Sequence, residues 1–116
     1  MRTVFHVSAA DPADQEHALV NVRNLLDDDT VSDEGDRVVV VANGDGVRAF
    51  VVATATAPDR VEELRAAGVD LYACLHSLRR RGLTDAGLLP GVETVQSGTG
   101  ALARLQDEGY GYVKAP

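Results

Sequence analysis

A three-layer α/β fold, with a mainly parallel sheet flanked by helices, is predicted by three features of the 116-residue chain. Residues Val38 to Val41 form an unbroken apolar run, the pattern of a strand covered on both faces in a parallel sheet. Short segments rich in β-branched residues alternate with segments of helical period, and parallel strands need such crossovers. Glycine and proline punctuate the segments at the expected boundaries. There is no internal repeat and no low-complexity segment. One domain over residues 1–116 is therefore expected, with the Val38 to Val41 strand at its centre.

Thr3 to Ser8 is the first expected strand, by its β-branched and aromatic content. Asp11-Pro12 opens a helix, because Asp caps free N–H groups and Pro suits the first turn. Ala18, Val22, Leu25 and Leu26 form its inward face, and it ends by Leu26. The segment 27–36 carries six acidic residues in ten and reads as a solvated loop. It lacks the Asp-x-Asp-x-Asp-Gly order of a calcium loop. Arg37 to Ala42 is the second strand, followed by a turn at Asn43-Gly44-Asp45-Gly46. That turn has neither GxGxxG nor a GK[ST] ending, which argues against a nucleotide loop. Val47 to Thr56 fits strand or helix equally well by period.

Pro58 opens the next helix, with Val61 and Leu64 inward and Gly68 as its stop. Val69 to Ala73 is the third strand and ends at Cys74. Ser77 to Arg81 is a short helix closed by Gly82, and Thr84 to Leu89 is a further turn stopped by Pro90-Gly91. Val92 to Val95 makes a fourth strand. Ser97 caps a helix running through Leu105 to Glu108, Gly109 ends it, and Tyr112 to Lys114 completes the sheet.

Eighteen acidic residues against eleven basic ones leave a net charge of −7, and Lys114 is the lone lysine. Such a surface repels phosphate backbones, so nucleic acid is not an expected partner. Acidic excess with little lysine suits a halophilic source, where salt screens self-repulsion; a GC-rich genome alone produces the same composition. The apolar runs are too short to span a bilayer and the N-terminus lacks a secretory h-region. A single cysteine excludes an internal disulfide, and a cytoplasmic protein is expected.

In parallel sheets ligands bind beyond the carboxyl ends of the strands. That edge collects Ser8, Asn43, Cys74 and Ser97. Cys74, where strand meets helix, is the candidate nucleophile: free N–H groups of the next turn favour thiolate, and His76 and the Arg79-Arg80-Arg81 run stand ready to add to that field. Equally, a free cysteine is commonly a small buried hydrophobe. Three scattered histidines, His6, His17 and His76, show no metal-ligand spacing, so no metal is expected.

The stretches "VVVVANGDGV" (38–47, the second strand and its turn), "RVEELRAAGVDLYACLHSL" (60–78) and "LLPGVETVQSGTGALARLQDEGYGYVKAP" (88–116) resemble the DsrE/DsrF-like family of small α/β proteins over nearly the whole chain. The resemblance implies a flavodoxin-like topology, a homo-oligomer (trimer or hexamer), no cofactor, and in some members carriage of sulfur as a cysteine persulfide between donor and acceptor proteins. Cys74 matches the family's cysteine after the third strand. Asn43, Gly44, His76 and Ser97 are the accompanying binding candidates, although the family commonly has His or Gly where this chain has Asn43-Gly44. A non-catalytic binding or assembly module with a structural Cys74 is the alternative.

Overall fold

The computed structural model describes residues 1–116. Five strands, β1 (Arg2–Val7), β2 (Arg37–Ala42), β3 (Asp70–Cys74), β4 (Val92–Val95) and β5 (Gly111–Lys114), form one sheet in the order β4-β3-β2-β1-β5. Every pairing is parallel. The Val38 to Val41 run lies on the central strand, as its apolar character on both faces requires.

The order of the strands dictates the layers. From β1 to β4 each crossover steps to the next strand in the same direction, so right-handed connections place α1 (Pro12–Asp27), α2 (Pro58–Ala66) and α3 (Leu75–Arg80) on one face. The last connection runs back across the sheet to β5 beside β1, and places α4 (Gly98–Asp107) on the other face. The two cores are correspondingly unequal. Twenty-two buried residues fill the first, whereas Val4, Val39, Val41 and Leu102 form the second. The layers are those of a flavodoxin-like sandwich, but the flavodoxin order 2-1-3-4-5 is not the one adopted: here β1 has β2, β3 and β4 on one side and β5 alone on the other.

Local differences from the sequence expectations have physical causes. Helix α1 begins as expected, with the Asp11 carboxylate accepting from the Ala13 N–H at 2.8 Å and Pro12 in the first turn. Its buried face is Gln15, Ala18, Leu19 and Val22, while Leu25 and Leu26 are only partly buried. Gln15 is tolerated inside because its Nε2 donates to the carbonyls of Ala9 at 2.9 Å and Asp45 at 3.1 Å, tying the β1–α1 loop to the segment after β2. That segment is not a simple turn. Gly44–Phe50 is a 3₁₀ helix, and Val51 bridges antiparallel to Leu88, so Val47 to Thr56 is neither a regular strand nor an α-helix. Helix α3 starts at Leu75, two residues earlier than its expected start at Ser77, directly after Cys74.

The 3₁₀ helix packs hard against the end of β1. A Cβ on Gly46 would lie 2.2 Å from the Val7 carbonyl oxygen, a backbone atom that cannot move aside alone. Gly46→Ala is expected to destabilise the fold by about 2–3 kcal/mol through this overlap, measured by denaturant unfolding. An unchanged unfolding midpoint would show that the 3₁₀ helix yields freely.

Candidate functional site

Adjacent strands whose following helices lie on opposite faces leave a crevice between their carboxyl ends. In this sheet β3 and β4 are that pair, since α3 and α4 leave them on opposite sides. Cys74, the last residue of β3, pairs in register with Val95 of β4, so the chain's one thiol stands at the point where the connections part. The starts of α3 and α4 both face it.

Cys74 is 5 % exposed. Burial pushes its thiol up, but the Ser77 hydroxyl and the backbone N–H groups of Gly98, Ser77 and His76 outweigh that penalty and hold it below its ordinary range. The sulfur accepts no regular capping bond, so these donors act as an oriented field around it, strongest on the thiolate. The position of Ser77 follows from its partner on the other side: the Gly44 N–H donates to Ser77 Oγ at 2.8 Å. With that lone pair occupied by a donor, the hydroxyl hydrogen is free to turn to the sulfur.

Gly98 is a steric requirement of the site. A Cβ there would meet Asn43 Cβ at 2.8 Å and Cys74 Cβ at 3.3 Å, so only glycine brings the start of α4 this close to both side chains. Asn43 lies beside Cys74 because Ala42 and Ala73 are register partners and each is followed by one of the two. Its Oδ1 is 2.7 Å from His6 Nε2, and His6 Nδ1 is 2.6 Å from the Tyr112 hydroxyl. The His6 and Tyr112 rings are tilted, with centroids 5.7 Å apart.

The structure thus brings Asn43, Gly44, Cys74 and Ser97 to one edge. Gly44 takes a positive φ of 54° and reaches Cys74 through Ser77. Ser97 caps α4, its Oγ accepting from the Gly100 N–H at 3.0 Å. Ser8, expected at the same edge, lies away from the thiol, its Oγ accepting from Lys114 Nζ at 2.8 Å. The ring of His76 is exposed; its backbone N–H, not its imidazole, acts on the sulfur. It lines an open cleft of about 550 Å³ with Tyr72, Ser97 and Arg104, and Cys74 is not among the lining residues. The arginine run does not serve the thiol as anticipated. Arg79 and Arg80 are exposed, and Arg81 donates to Asp45 Oδ1 at 2.7 Å and to the Ser77 carbonyl at 3.1 Å.

Sequence reasoning missed Ser77, Gly98, His6 and Tyr112. Ser77 stands three residues after the thiol at a strand-to-helix junction, a spacing that signals a helix-start contact. His6 interrupts the apolar run of β1, and only the sheet shows that it faces Asn43 and Tyr112.

The chain matches the model of the DsrE/DsrF-like family over residues 1–115. The solved structure of MTH1491 from Methanobacterium thermoautotrophicum, described as a protein of unknown function, is 36% identical and superposes with a TM-score of 0.87, covering 97% of each chain. The YchN protein of E. coli shares the fold at 16% identity and a TM-score of 0.76, over 98% of this chain and 99% of that one. No curated protein matches. This chain is a member of the DsrE/DsrF-like family. No helix is long and apolar enough to cross a membrane.

Because the thiol is depressed in the fold, the unfolded chain holds its proton to higher pH. Stability therefore rises with pH from the folded thiol's titration up to the ordinary thiol range near about 8.5, and this increment is lost as pH falls through the folded value. Ser77→Ala is expected to slow Cys74 alkylation roughly fivefold at neutral pH, the worth of one hydrogen bond of about 1 kcal/mol, and to move the rate profile to higher pH. A profile identical to that of the parent would show that the hydroxyl does not serve the sulfur.

Proposed function

We propose that the protein is a sulfur carrier in which Cys74 accepts a sulfane sulfur as a persulfide. The observation that carries this is the donor set around Cys74, which favours a sulfur anion at a buried position where a structural cysteine needs none. The thiolate attacks the terminal sulfur of a donor persulfide or polysulfide. The donor S–S bond breaks, a new S–S bond forms at Cys74, and the donor departs as a thiolate with the displaced electron pair. The transferred sulfur keeps its oxidation state, so no oxidant is consumed. With Cys74 nearly enclosed, the donor must present its sulfur on a thin arm.

The burial itself supports a second reading, a binding or assembly module in which Cys74 fills the core with Leu71 and Leu78. The two readings predict opposite behaviour toward inorganic polysulfide. As a carrier, the native protein gains about 32 Da per added sulfur, and Cys74→Ser abolishes the gain. If the native thiol takes up no sulfur until the chain is unfolded, the carrier reading fails and the cysteine is structural.

We also propose that the protein works as a homo-oligomer, a trimer or hexamer. Strand β5 is exposed along its whole length at the sheet edge, an unpaired ladder that association would cover. Light scattering is expected to give a mass three or six times that of the 12.3 kDa chain; a monomer at working concentration would refute it.

A further inference from the structure

Helix α4 packs mainly over β1, β2 and β3, and no other helix lies on its face of the sheet to shield β4. The ground it leaves bare, toward the carboxyl ends of β3 and β4, is the cleft of about 550 Å³. That volume lies within the range of about 300–1,000 Å³ typical of small-molecule sites, and strand ends where the connections part are where such sites form. Tyr72, Val95, Ala101 and Leu105 give the cleft an apolar wall, each of them half-buried.

The charge of the cleft runs against that of the chain. Of 18 acidic residues none lines it, whereas Asp70 and Glu93 line a second hollow and Glu62 a third. Arg104 is its only Lys or Arg. Standing three residues after Ala101, it shares that residue's helix face, and it takes no part in the ion pairs of the chain. The exposed ring of His76 lines the same cleft from the start of α3. A guanidinium without a carboxylate, set against apolar side chains, matches an anionic head on an apolar body; a neutral ligand leaves it unused and a cation is repelled.

We propose that this cleft binds a small organic anion, an aromatic carboxylate, sulfonate or phosphate ester. Its flat body lies against Tyr72, Val95 and Leu105, and its charged group meets Arg104, with His76 as a second donor. The site goes beyond the carrier reading and does not rest on it, because Cys74 is not in its lining.

The test uses anilinonaphthalene sulfonate, an aromatic sulfonate whose fluorescence rises on leaving water, titrated at fixed salt into the folded chain. Saturable binding to the parent is expected, with Arg104→Gln weakening it roughly tenfold, the worth of a hydrogen bond between charged groups. Arg79→Gln removes an exposed guanidinium outside the cleft and changes the affinity less than about twofold. Phenylnaphthylamine, the neutral counterpart, binds parent and Arg104→Gln alike, and Ala101→Leu, which fills part of the cleft, weakens both probes. Sulfonate binding that Arg104→Gln leaves unchanged, or that Arg79→Gln lowers as much, overturns the assignment of the anion to Arg104. A parent that does not bind the sulfonate saturably overturns the site itself, the result expected if a second copy of the chain covers the cleft; binding of both probes untouched by Ala101→Leu overturns it too. None of these outcomes bears on persulfide loading of Cys74, so the two readings fail separately.

Discussion

Parallel strands are joined only through crossovers, and crossovers turn right-handedly, so the direction in which the chain walks across the sheet decides which face each helix covers. Here the chain walks one way through four strands and then returns to place β5 beside β1. The reversal parts α3 from α4 above the ends of β3 and β4. Two helix starts therefore face one strand end, and the residue at that end is Cys74.

The electrostatics of the thiol follow from that geometry. Desolvation opposes ionisation at a residue so little exposed, and a single helix turn of N–H groups is a modest counterweight. What tips the balance is the addition of a hydroxyl from within α3 and an N–H from α4. Both depend on close packing. Ser77 is held by the Gly44 N–H, so the turn after β2 is part of the site, and Gly98 is the only residue type that fits against Asn43 and Cys74. The positive φ of Gly44 and the missing side chain of Gly98 are two separate uses of glycine, one conformational and one steric.

The face that carries α4 is thinly covered. One helix shields the middle of the sheet, and polar residues of β1, β5 and the turn after β2 meet beyond it as the Tyr112–His6–Asn43 chain, with Lys114 and Ser8 paired nearby. Polar side chains on a sheet face need partners once they are partly covered, and these residues supply one another. The same thin coverage leaves β5 open along its edge.

Strands, helix starts and stops were legible in the sequence because each is signalled locally: Asp11-Pro12, Pro58 and Ser97 at starts, Gly68, Gly82 and Gly109 at ends, and Val38 to Val41 as a strand buried on both faces. The placement of Cys74 at a strand end was legible for the same reason. The 3₁₀ segment Gly44–Phe50 was not, since its form is imposed by contact with Val7 and Ser8 on another element. Nor were Ser77, His6 and Tyr112, whose importance lies in partners 33, 37 and 106 positions away. The sequence by itself determined the elements, the family and the identity of the thiol, because short-range chemistry specifies these. Only the tertiary structure decided what surrounds the sulfur, because strand order and crossover handedness bring together residues that no local pattern connects.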